Sequence, residues 1–133
     1  MYRIFLVEDH KMMADALVSI LQRKGNFNVT EVAATAEDAL ERLRDLEADL
    51  ALVDVSLPHT GGIELVSMIR EQRPNLPCLM ISGRSSSQYV KRSLAAGARG
   101  YVLKDDIHEV IYGIQRVLEG DIYLSKQISE GPL

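Results

Sequence analysis

Asp54 closes a short apolar run, Leu50-Ala51-Leu52-Val53, and is followed by Val55-Ser56-Leu57-Pro58. The chain opens with a comparable run, Ile4-Phe5-Leu6-Val7, that ends on Glu8 and Asp9. A third, Pro77-Cys78-Leu79-Met80-Ile81, ends on Ser82, and a fourth, Gly100-Tyr101-Val102-Leu103, ends on Lys104. Buried parallel strands read as continuous apolar runs of this kind. If these runs lie parallel in one sheet, their C-terminal ends share the edge where open α/β sheets hold their ligands. Three carboxylates would then meet one hydroxyl and one ammonium. Oxygen donors of this type suit Mg²⁺, which takes few protein ligands and keeps several waters. A carboxylate nucleophile beside such compensating charge suits phosphoryl transfer, with an acyl phosphate as product.

Each feature has an ordinary reading when taken alone. Glu8 and Asp9 precede a helix, whose dipole favours anions at its N-terminus. Asp54 could be a turn acid, Ser82 a loop serine and Lys104 a solvated lysine. Convergence changes the balance, because three anions gathered without a cation repel one another.

The elements that must position these groups alternate along the chain, apolar run and amphipathic helix, five times, the mark of βα units around a parallel sheet. The first strand is expected over about Tyr2 to Val7. Helix one then carries Met13, Leu17, Ile20 and Leu21 on one face, and Gly25 stops it. Strand two runs from about Phe27 to Ala33, anchored by Phe27, Val29 and Val32. Thr35-Ala36-Glu37-Asp38 resembles a capping box ahead of Ala39, Leu40, Leu43 and Leu46. Pro58 and Gly61-Gly62 mark a loop before a helix carrying Ile63, Val66 and Ile69, which Pro74 closes. Ser85-Ser86-Ser87 starts a fourth helix with a thin apolar face, Val90, Leu94 and Ala95, and a weakly held element can move. Asp106 and Glu109 have N-cap and N3 spacing for helix five, whose stripe is Ile107, Val110, Ile111, Ile114 and Val117. Val117 lies at the margin of that stripe, and Tyr112 falls partly off it.

The bulk numbers narrow the function classes. At 133 residues and 47% hydrophobic, the chain is one domain with an ordinary core. A net charge of −4 argues against direct binding to nucleic acid. The single cysteine, Cys78, sits mid-strand and reads as a small buried hydrophobe, in keeping with a reducing compartment. No run has signal-peptide or membrane-spanning form, so a cytoplasmic location is expected.

Taken together, Glu8-Asp9-His10, Asp54 ahead of Pro58-x-x-Gly61, Ser82-Gly83 and Gly100-Tyr101-Val102-Leu103-Lys104-Asp105 resemble the receiver domain of a bacterial two-component response regulator. The resemblance covers about residues 2 to 120. The opening, the Lys104-Asp105 ending and the tail Gly120-x-x-Tyr123-Leu124-Ser125 are most similar to the NarL/FixJ-type branch. The resemblance implies a flavodoxin-like (CheY-like) doubly wound sheet of five parallel strands, order 2-1-3-4-5, with helices on both faces. It implies that Asp54 accepts a phosphoryl group from a histidine kinase. It implies Mg²⁺ held by Asp9, Asp54 and the backbone carbonyl of Val55, with Glu8 acting through water. Ser82 and Lys104 would bind phosphoryl oxygens, and Tyr101 would turn inward as Ser82 is drawn to the phosphoryl group. The result would be a switch rather than a turnover enzyme.

On this basis residues 1–120 form the receiver. Residues 121–133 form a tail or linker toward an output domain outside this chain, of helix-turn-helix type, and DNA would be reached only through that domain. Phosphorylation would promote homodimerisation through helices one and five or four and five. There are departures: Ser82 and Gly83 stand where threonine and alanine are common, and Asp105 stands where many receivers have proline, so a trans Lys104-Asp105 bond is expected. Three alternatives define the competition. An aspartyl phosphohydrolase would want an acid at position 56, which is serine. A flavin or nucleotide carrier would want a glycine-rich phosphate loop after strand one, which is acidic here. A stand-alone or degenerate receiver would act only as a protein-interaction module, although its acids, Ser82 and Lys104 are intact.

Overall fold

The computed structural model describes residues 1–129. Among the described residues, six parallel strands form one sheet in the order β2-β1-β3-β4-β5-β6. They are β1 (Arg3–Val7), β2 (Asn28–Ala33), β3 (Leu50–Asp54), β4 (Cys78–Ser82), β5 (Gly100–Leu103) and β6 (Tyr123–Leu124). The helices between and beyond them are α1 (Lys11–Arg23), α2 (Ala36–Arg42), α3 (Gly62–Gln72), α4 (Ser87–Ala96), α5 (Ile107–Leu118) and the short α6 (Lys126–Ser129).

Strand side chains alternate between two cores. Phe5, Val7, Ala51, Val53, Met80, Tyr101 and Leu103 face α2, α3 and α4, where they meet Ala39, Leu65, Ile69 and Val90. Ile4, Leu6, Leu50, Leu52, Leu79, Ile81 and Val102 face α1 and α5, where they meet Leu17, Leu21, Val110 and Ile114. Both faces of the central strands are therefore covered, which is why their sequences show no polar alternation. Cys78 is buried, and burial pushes its thiol up to about 12. Thr35 caps α2 by accepting the Asp38 amide, and Asp106 caps α5 by accepting the Glu109 amide.

Several sequence expectations need correction. The five-stranded sheet gains a sixth strand from the tail, where Tyr123 and Leu124 pair with Gly100 and Tyr101. Val32 is exposed, because β2 is an edge strand. Val117 is buried and belongs to the α5 stripe, whereas Tyr112 is exposed. On α4, Ala95 is exposed and Ser93 is buried instead, its hydroxyl donating to the Tyr89 carbonyl at 2.6 Å. Glu109 does not complete a capping box. Its carboxylate instead accepts the Tyr123 hydroxyl and the Lys126 amide, both at 2.8 Å.

That carboxylate fastens the tail to α5, and Ser125 fastens it to β5. Ser125 is fully buried, and its hydroxyl accepts the Leu103 amide at 3.0 Å, one residue before Lys104. Ile128 follows it into the core. Ser125→Ala is expected to strand that amide and lower stability by about 1–3 kcal/mol. Urea unfolding monitored by circular dichroism checks this, with an unchanged midpoint as the contrary result. Residues 130–133, the last part of the expected 121–133 tail, lie outside the described residues.

Candidate functional site

Strands β1, β3, β4 and β5 do finish together. In register, Val7 pairs with Val53, Asp54 with Ile81 and Ser82 with Leu103, so each polar end lies within a residue or two of its neighbours. Glu8 and Asp54 are nearly inaccessible, at 2% and 1% exposure. Lys104 reaches between them: its Nζ lies 2.8 Å from Glu8 Oε1 and 3.0 Å from Asp54 Oδ2. Burial lowers the proton affinity of the ammonium, but the two carboxylates outweigh it and leave its pKa raised. Glu8 is also raised, first by burial and then by Asp54, against the opposing pull of Lys104.

Backbone amides hold the acids in place. The Ser56 amide donates to Asp54 Oδ1 at 3.1 Å, leaving Oδ2 for Lys104. The His10 amide donates to Glu8 Oε2 at 3.2 Å. Lys104 Nζ is the partner of Glu8 Oε1 and Asp54 Oδ2, while Asp9 Oδ1 is buried without a hydrogen-bond donor. Ligand atoms of Glu8, Asp9, His10 and Asp54 all lie within 4.8 Å of one another. Three carboxylates so close together, sharing one ammonium, fit a divalent cation as an additional counter-charge. The Val55 carbonyl accepts the Gly62 amide at 3.1 Å and keeps a second lone pair for a ligand.

Ser82 is buried beside this group, and its hydroxyl accepts the Arg84 amide at 3.0 Å. Tyr101 is fully buried with its ring already inward, and its hydroxyl donates to the Arg84 carbonyl at 2.9 Å. Burial raises its pKa, partly offset by Ser82. Two bonds from Ser82 and Tyr101 thus hold Arg84, at the start of the loop leading to α4. Among the described residues there is no cis peptide, so Lys104-Asp105 is trans as expected. A cavity of about 520 Å³ lined by Arg70, Pro77, Leu94 and Arg99 lies at the opposite, N-terminal edge of the strands and includes none of these groups.

Three features of the site escaped the sequence reading: the bond of Lys104 to Glu8, the inclusion of His10, and the strict need for Gly62. His10 stood next to the two acids, which was the available signal. Gly62 shared the loop signal with Gly61, but only at Gly62 would a Cβ fall 1.9 Å from the Asp54 carbonyl oxygen.

The fold and this edge define a signalling domain, and comparison with known proteins gives its family. The response regulator receiver domain model matches residues 4–115, and the chain belongs to that family. It is 30% identical to a LuxR-family two-component response regulator from Aurantimonas sp. SI85-9A1, with a TM-score of 0.93 and coverage of 97% of this chain and 93% of that one. It is 27% identical to the signal receiver domain of the putative response regulator NarL from Mycobacterium tuberculosis, with a TM-score of 0.83 and coverage of 90% and 97%. Among curated proteins, it is 29% identical to the transcriptional regulatory protein MctR of Rhizobium johnstonii over 95% of this chain and 59% of MctR. It is 34% identical to the DNA-binding transcriptional activator DevR/DosR of M. tuberculosis over 79% of this chain and 48% of that protein. The chain therefore spans roughly half to three fifths of these curated relatives. Among the described residues, no helix is long and apolar enough to cross a membrane.

Proposed function

We propose that Asp54 is the phosphoacceptor of this receiver domain, loaded by a histidine kinase, and that the chain works as a switch rather than a turnover enzyme. The observation that carries this is the Lys104 ammonium bridging Glu8 and Asp54 within a tight cluster of three carboxylates. Asp54 Oδ2 would attack phosphorus as the bond from phosphorus to the donor's imidazole nitrogen breaks, its electron pair leaving with the imidazole. The Ser56 amide holds Oδ1 and so orients Oδ2 for that attack. Lys104 would move from the carboxylate pair to a phosphoryl oxygen, and Ser82 would donate to another. Drawing Ser82 forward would break its bond to the Arg84 amide and release the loop that Tyr101 also holds.

Asp9, Asp54 and the Val55 carbonyl would hold Mg²⁺, with Glu8 acting through water. The ion would neutralise charge on the phosphoryl oxygens and the acids. Asp9→Asn is expected to weaken Mg²⁺ binding markedly and Glu8→Gln less. Titration calorimetry checks this, and an equal loss in both would reject the division of roles.

The reading extends to output. Residues 121–133 would lead to a DNA-binding domain outside this chain, as in the longer transcriptional relatives. Exposed Met12 on α1 and Tyr112 on α5 support paired copies after phosphorylation. The acidic balance supports a cytoplasmic signalling role with no DNA contact by this domain. Incubation with acetyl phosphate, with Mg²⁺ or with EDTA, followed by intact-mass measurement, tests the central step. One added phosphoryl group that requires the cation is expected, and no addition under either condition contradicts it.

A further inference from the structure

His10 is the N-cap of α1 with the usual extended backbone, at φ −85° and ψ 110°, but its side chain makes no capping bond. The imidazole turns to the acids instead. Its Nδ1 lies 3.4 Å from Glu8 Oε2 and 3.5 Å from Asp9 Oδ1. Tetrahedral donors about 2.0–2.1 Å from a zinc ion stand about 3.3–3.4 Å from each other, so both separations match the edge of such a site. Asp9 Oδ1 is buried with no hydrogen-bond donor, and Glu8 and Asp54, almost wholly buried, add oxygens that face the Lys104 ammonium. The imidazole itself is 71% exposed, so it can move to a ligand position without unpacking the core.

We propose that His10 is a nitrogen ligand that makes this cation site accept borderline transition ions, Zn²⁺ and Cu²⁺, in addition to a hard ion. The inference rests on the cation-site reading above and adds a selectivity residue to it. Carboxylate and carbonyl donors alone favour Mg²⁺, Ca²⁺ and Mn²⁺, whereas imidazole suits Zn²⁺ and Cu²⁺. Removing His10 should therefore separate the two classes of ion. A zinc-loaded site would hold Asp9 and Asp54 in place of Mg²⁺.

The test is titration calorimetry of the full chain with Zn²⁺ alone and with Mg²⁺ alone, on the native protein, His10→Ala and His10→Asn. Asparagine keeps a donor at similar reach but offers an amide oxygen instead of the ring nitrogen. Both variants should weaken Zn²⁺ by about tenfold or more, since even outer-shell changes around a metal cost about 10–100-fold. Mg²⁺ affinity should change by about twofold or less in both. Cu²⁺ bound to the native chain should show nitrogen coupling in its electron paramagnetic resonance spectrum, lost in His10→Asn. Asp9→Asn should abolish the same Zn²⁺ event, which ties it to this site and not to His59 or His108. Equal losses for Zn²⁺ and Mg²⁺, an unchanged Zn²⁺ affinity, or nitrogen coupling that survives His10→Asn would each overturn the proposal. Absence of Mg²⁺ binding to the native chain would instead count against the Mg²⁺ reading, and the His10-dependent Zn²⁺ arm would still stand on its own result.

Discussion

Lys104→Met is expected to lower stability by about 2–4 kcal/mol at neutral pH in EDTA. Removing one member of a buried ion pair leaves the other charge uncompensated, a loss of about 3–5 kcal/mol when burial is complete. Here the lysine side chain keeps 14% exposure, which places the expected loss toward the lower end. Two acids lose their shared cation, and both are almost wholly buried. The pH dependence follows from Glu8, whose folded-state pKa is raised by burial and by Asp54. Losing Lys104 removes the positive charge that opposes those effects, so Glu8 should rise further. A carboxyl group with a raised folded pKa favours the fold most below its unfolded pKa. That contribution is lost as pH rises through the folded value. The deficit of Lys104→Met should therefore be small in acid and grow through that window. Urea unfolding at several pH values measures it, and a deficit independent of pH would contradict the assignment of Lys104 as counter-ion to Glu8.

Gly62→Ala is the second large effect. A Cβ there would lie 1.9 Å from the Asp54 carbonyl oxygen and 2.9 Å from the Val55 Cα, both backbone atoms that cannot swing aside. The start of α3 must then shift, and overpacking of this kind costs about 1–3 kcal/mol or more. The Gly62 amide also donates to the Val55 carbonyl, so that shift would disturb a proposed cation ligand. Lower thermal stability together with weaker Mg²⁺ binding is expected. Gly61→Ala is the control, because a Cβ there meets only the flexible end of Glu64. Equal losses in the two variants would show that Gly62 has no special role.

These two residues illustrate what can be read from one-dimensional order. The strand ends were visible because parallel strands buried on both faces appear as unbroken apolar runs, and each run stopped at a polar group. The sequence alone thus places Asp54, Glu8, Asp9, Ser82 and Lys104 on one edge. Contacts across that edge depend on side-chain reach, which sequence spacing does not encode. Lys104 was expected beside Asp54 and also meets Glu8. Positions at the margin of a face divided: Val117 is buried with its stripe, whereas Ala95 is exposed. Strand β6 has only Tyr123 and Leu124, too short for a periodic signal, and its pairing depends on β5 offering an edge. The acid at 109 was placed at the right helical position, but its carboxylate is engaged by the tail rather than by its own helix.

Among the three clustered acids, Asp54 is the one expected to become covalently phosphorylated. The most direct test is intact-mass measurement after acetyl phosphate and Mg²⁺ on the native chain, Asp54→Asn, Asp9→Asn and Glu8→Gln. The native chain should gain one phosphoryl group, and Asp54→Asn should gain none. Asp9→Asn and Glu8→Gln should gain it more slowly, because they alter the charge around the acceptor without removing it. An undiminished mass shift in Asp54→Asn, or a complete loss confined to Asp9→Asn or Glu8→Gln, would contradict the assignment.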